Sequence, residues 1–146
     1  MKYPQKYEAD RAPASVLALV QQVLPQLLEG DHPALAALRA QCRGVSLGAV
    51  ELTGVGFLAD LHVPTDAPLA EPRRFAGGDA DIALTGVEHG AGCVLFVEDG
   101  HLSVFEGYTY AGEEWREDSR ILSVGLVAPV QPDNKPLQRT GLAPRR

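Results

Sequence analysis

The sequence predicts a single α+β domain: two N-terminal helices packed on a mainly antiparallel sheet of five or six strands. Three observations carry this. Residues 14–42 show helical spacing, residues 45–128 are mostly β-rich runs broken by Gly and Pro, and an Asp99-Gly100 pair joins two of those runs. Asp-Gly between β-rich runs is a strong hairpin signal, because both turn residues must accept positive φ.

From Ala14 the apolar positions Val16, Leu17, Val20, Val23, Leu24, Leu27 and Leu28 recur on one helical face. Pro25 lacks an amide donor and crowds the preceding turn, which predicts a kink there or a break near Leu24. Gly30 ends this helix, Asp31 is a suitable N-cap and Pro33 fits the first turn of a second helix to about Cys42, with Leu35, Leu38 and Cys42 as its apolar stripe. Residues 1–13, polar and holding Pro4 and Pro13, read as a loose N-terminal arm, and residues 14–128 as the domain.

Strands are expected over 45–52 and 55–63, the second alternating Val55, Phe57, Ala59, Leu61 and Val63 with Gly56, Leu58, Asp60 and His62. Residues 64–80, with three prolines, read as a long surface loop. Strand candidates follow at 82–87 and 120–128, the last with Leu122, Val124 and Leu126 on one side. In the central hairpin, counting back from Asp99-Gly100 pairs Glu98 with His101, Val97 with Leu102, Leu95 with Val104 and Cys93 with Glu106. That register gathers Leu95, Val97, Leu102 and Val104 on one apolar face and sends Val94, Phe96 and Phe105 to the other. Residues 129–146 are punctuated by proline, basic and poor in anchors, and read as a disordered tail. Within it, Asn134-Lys-Pro-Leu-Gln-Arg-Thr-Gly141 resembles a terminal segment of otherwise unrelated bacterial proteins.

Length and composition suit one soluble globular domain of 146 residues, 45% hydrophobic and 22% charged. No apolar run reaches the length of a membrane span and residues 1–11 lack a signal-peptide core, so a cytoplasmic location and no membrane partner are expected. Cys42 and Cys93 form no short-spaced motif and are expected to be reduced and buried. The formal charge is -6; residues 129–146 hold Lys135, Arg139, Arg145 and Arg146 against Asp133, a net +3, which leaves -9 on the rest. Such a body disfavours nucleic acid and favours a basic protein partner.

The chemical motifs are weak. Gly54-Val-Gly-Phe-Leu-Ala59 matches a degenerate dinucleotide fingerprint, but it runs into an alternating strand rather than a helix, and no cofactor is expected. Asp60 and His62 share a strand face and are the weak metal candidates; the four histidines otherwise lack a ligand spacing. There is no His-Glu-x-x-His, paired Cys-x-x-Cys or nucleophile elbow, so nothing indicates an enzyme. Glu106 is the weak catalytic candidate. Alternation places it beside buried Leu102 and Val104, whereas a bulge at Gly107 turns it outward.

The strongest functional feature is an acidic, aromatic lobe. Residues 98–118 carry a local charge of -6 and include Tyr108, Tyr110 and Trp115. Candidate binding residues are Glu106, Tyr108, Tyr110, Glu113, Glu114, Trp115 and Glu117, with aromatics as anchors and carboxylates complementing a basic partner. The alternative is that the three aromatics fold back over the sheet. A small enzyme or ligand-binding protein with Glu106 in an aromatic-lined pocket is the second functional reading.

Gly54-Val-Gly-Phe57, the Gly-Ala-Gly before Val94, Asp99-Gly100, Phe105-Glu-Gly-Tyr-Thr-Tyr110 and Glu113-Glu-Trp115 together resemble a small family of bacterial proteins marked by Leu-Glu-Gly-Tyr-Thr-Tyr and Glu-x-Trp-Pro. The likeness spans roughly residues 14–125, with Phe105 in place of Leu and Arg116 in place of Pro. It implies a compact α+β domain and no particular activity. Size, acidity and architecture are also similar to immunity proteins that neutralise bacterial toxins, an analogy at the level of fold.

Overall fold

The computed structural model describes residues 2–132. Strand β1 (Gln5–Tyr7) is followed by a short 3-10 turn (Ala9–Arg11), helices α1 (Ala14–Leu27) and α2 (Pro33–Cys42), and strands β2 (Ser46–Leu52), β3 (Gly56–His62), β4 (Phe75–Gly77), β5 (Asp79–Leu84), β6 (Val87–Glu98), β7 (His101–Thr109) and β8 (Ile121–Ala128). The α+β class stands, but the antiparallel sheet has eight described strands rather than five or six, ordered β1-β2-β3-β7-β6-β5-β8 with β4 also on β6. The extra strands come from segments that lack a long β-rich run. Three residues of the expected loose arm pair with β2, Gln5 opposite Leu52 and Tyr7 opposite Val50. The expected long loop ends early, because Phe75 and Ala76 pair with Val97 and Phe96. Of the expected basic tail, residues 133–146 lie outside the described residues; before them, Val130 is buried and its amide donates to the Leu27 carbonyl at 2.8 Å.

Helix α1 buries Val16, Leu19, Val20, Val23, Leu24 and Leu27. It continues through Pro25 to Leu27, since proline in the last turn removes only one donor. The cap of α2 is His32 rather than Asp31: its Nδ1 accepts from the Ala34 amide at 3.0 Å. On α2, buried Gln41 completes the inner stripe and Cys42 is only half-buried. Gln41 Nε2 donates to the carbonyls of Pro68 and Gly100, both at 2.8 Å, while its Oε1 accepts from the Leu102 amide at 2.8 Å. One buried amide thus satisfies three backbone groups of the hairpin tip and the 64–74 loop, which would be costly if left unpaired.

Both helices bury their apolar stripes in one core cluster with Val50, Leu52, Phe57, Ala59, Phe105, Cys93, Leu95 and Trp115. That cluster occupies one sheet face. Leu58, Val94, Val104, Ala76 and Phe96 are not part of it and belong to the opposite face. On the outermost strand β8, Leu122 and Leu126 are exposed rather than core, because β8 lies at the sheet edge beyond β5. Among the described residues no helix is long and apolar enough to cross a membrane.

Candidate functional site: the open face of the sheet

The site is organised by the β6–β7 hairpin. Asp99 (φ 53°) and Gly100 (φ 80°) form its turn, and Glu98 opposes His101 and Val97 opposes Leu102, as the turn chemistry predicts. Beyond Val97 the register slips by one residue. Phe96 opposes Val104, Leu95 opposes Phe105, Val94 opposes Glu106 and Cys93 opposes Gly107, so the expected Leu95–Val104 and Cys93–Glu106 pairs do not form. The extra residue on β7 is Ser103, whose hydroxyl donates to Glu98 Oε1 at 2.9 Å. The bulge is therefore at Ser103 and not at Gly107. It inverts every side chain after it: Phe105 and Thr109 enter the core, while Val104, Glu106 and Tyr108 take the open face.

Cross-strand pairing then defines that face row by row. Lys6, Glu51, Leu58, Glu106 and Val94 lie side by side across β1, β2, β3, β7 and β6. The next row is Asp60, Val104, Phe96 and Ala76, of which Phe96 and Ala76 are buried. The row on the other side is Gly56, Tyr108 and Gly92. Half-buried Leu58, Val94 and Val104 thus form an apolar strip threaded by Glu106 and edged by Glu51 and Asp60.

Tyr108 and Tyr110 stand at one end of this strip, their rings T-shaped with centroids 6.0 Å apart. Glycine makes room for them: a Cβ on Gly92 would lie 2.9 Å from the Tyr108 hydroxyl and 3.0 Å from Tyr110 Cε1. The Tyr110 hydroxyl donates to Asp81 Oδ1 at 2.8 Å, and desolvation together with that carboxylate raises the phenol well above its ordinary pKa. Asp79, two residues before Asp81 on β5, has a buried Oδ1 with no hydrogen-bond partner among the described residues.

Of the expected binding residues, Glu106, Tyr108 and Tyr110 come together here. Trp115 does not: it is fully buried, packs edge-on against Phe57 with ring centroids 5.0 Å apart, and its Nε1 donates to Ser15 Oγ at 3.3 Å. An indole folded into the core cannot anchor a partner. Glu113 and Glu114 are latches to other parts of the chain. Glu114 accepts from the Tyr3 hydroxyl and from Lys2 Nζ, the latter at 3.2 Å, and these two donors hold its carboxyl below the usual range. Glu113 accepts from the amides of Glu88 at 2.6 Å and His89 at 3.3 Å; desolvation opposes its charge, but those donors together with the His89 side chain outweigh it and lower the pKa. Glu117 is exposed, and its backbone carbonyl accepts from the Ser15 amide at 3.3 Å.

The weak metal pair Asp60 and His62 is exposed on the open face, with the His62 ring lying over Gly48. The three-ligand cluster among the described residues is elsewhere, at Glu88, His89 and Glu113. A cleft of about 410 Å³ also lies away from Glu106, between Lys2, Tyr3 and Arg11 of the N-terminal arm and Arg116, Glu117 and Asp118. The residues missed in the sequence are Asp79, Asp81, Glu88 and His89, which reach Tyr110 and Glu113 only through sheet pairing. The cysteines are both free, and burial pushes the Cys93 thiol up to about 12.

No family model, curated protein or solved structure matches the chain. Part of the motif set behind the family resemblance packs together. Gly56 opposes Tyr108, Phe57 opposes Gly107, and the Gly54 carbonyl accepts from the Trp115 amide at 2.9 Å.

Proposed function

We propose that the protein is a binding module whose open sheet face engages a basic protein partner, in the manner of an immunity protein. The carrying observation is the placement of Glu106 between Leu58 and Val94, on a strip edged by Asp60 and Glu51 and ending at Tyr108. Apolar area supplies affinity, the tyrosine is a suitable anchor, and a partly desolvated carboxylate selects a cationic residue. The acidic body, -9 outside residues 129–146, would steer such a partner toward it. This reading moves the binding surface from the whole 98–118 lobe to the sheet face, since Trp115, Glu113 and Glu114 are committed to internal contacts.

Affinity capture from native cells tests it, comparing the wild-type chain with a Glu106→Lys/Asp60→Lys variant. A basic protein retained by the wild type, eluted by raised salt and absent from the variant is the expected result. Equal retention by both chains would sink the reading.

A further inference from the structure

We propose that Glu88, His89 and Glu113 form a site for a divalent transition-metal ion, with zinc the expected occupant. Glu88 and His89 are the second and third residues of strand β6, and Glu113 follows Gly112 in the turn after β7. One ligand atom from each residue lies within 4.8 Å of the other two. His89 Nδ1 and Glu113 Oε2 are 3.5 Å apart. The two make an ion pair when the imidazole is protonated, longer than the about 2.7–2.9 Å of a charge-assisted hydrogen bond. Their separation is close to the edge of a tetrahedron, about 3.4 Å, whose corners lie about 2.0–2.1 Å from a central zinc.

Glu113 is already oriented for this task. The Glu88 amide donates to its Oε2 and the His89 amide to its Oε1, the kind of outer hydrogen bonding that fixes metal ligands and keeps a carboxylate charged. One imidazole with two carboxylates suits zinc, manganese, cobalt or nickel better than calcium or magnesium, which prefer all-oxygen shells. The His89 side chain is 61% exposed and that of Glu113 23%, so water can complete the coordination. An acidic body further favours a dication. The ion would add to the bonds that already hold the 110–113 turn to β6, from the Tyr110 amide to the Gly90 carbonyl at 3.0 Å and from the Glu88 and His89 amides to the Glu113 carboxylate. The inference does not depend on the proposed binding face.

Calorimetric titration of the full chain with zinc chloride tests it, with thermal unfolding followed in zinc and in EDTA. The wild type is expected to bind one equivalent saturably and to unfold at a higher temperature with zinc. His89→Ala and Glu88→Gln should each weaken binding at least roughly tenfold, whereas His62→Ala, which removes the other candidate ligand, should bind as the wild type does. Both test residues are exposed, and matching melts in EDTA would establish that the variants fold. Zinc bound equally well by His89→Ala, or no saturable binding by the wild type, would overturn the proposal.

Discussion

The Phe57 ring lies directly across Gly107: a Cβ added to that glycine would sit 2.2 Å from Phe57 Cε2. The two residues are register partners on β3 and β7, and the ring continues toward Phe105, 5.9 Å away, and Trp115, 5.0 Å away. Glycine here is required by close approach, and the aromatic cluster of the core is built over the gap it leaves.

Gly107→Ala should therefore force Phe57 off its position and cost about 1–3 kcal/mol, in the range of overpacked cores. Urea unfolding measures this, and combining it with Phe57→Leu should recover part of the loss, giving a non-additive cycle. Additive losses would mean that the two residues do not compete for the same space.

Trp115 is the sole tryptophan and is fully buried, so its fluorescence reports on the core alone. Native emission should be blue-shifted and poorly quenched by acrylamide, moving to longer wavelength on unfolding. Trp115→Ala should cost about 3–5 kcal/mol, as large aromatic truncations do. Solvent-like native emission would return Trp115 to the surface.

Asp79 should make stability fall with rising pH. Desolvation first, and then the Asp81 carboxylate, raise its pKa above 3.8, against the lowering effect of the Ala80 amide. The folded state then holds this proton more tightly than the unfolded chain. Stability from it is full below about pH 3.8, is lost as pH climbs through the folded pKa, and stays lost at neutrality. Asp79→Asn should accordingly stabilise at pH 7, by under about 1 kcal/mol because solvent reaches part of the residue. The gain should shrink toward pH 3 in paired thermal melts; a gain that is the same at both pH values would rule out the titration as its cause.

Local chemistry was legible because it acts over a few residues. Helical spacing from Val16 to Leu27 placed α1, and the Asp99-Gly100 turn set the first two pairs of the hairpin. The faces taken beyond the turn were not legible, since one extra residue at Ser103 reverses every later side chain. Nothing local to β7 decides between Val104 and Phe105 for the core. The choice accompanies packing against Phe57, more than forty residues earlier in the chain, and a larger ring gains more by burial than a valine does. The same holds for the candidate sites. Sequence alone determined an acidic α+β domain whose second hairpin strand runs out through Tyr108 and Tyr110. The tertiary structure decided that Glu106 stands between Leu58 and Val94, that Trp115 belongs to the core, and that Glu113 meets Glu88 and His89, because sheet pairing joins residues that sequence distance keeps apart.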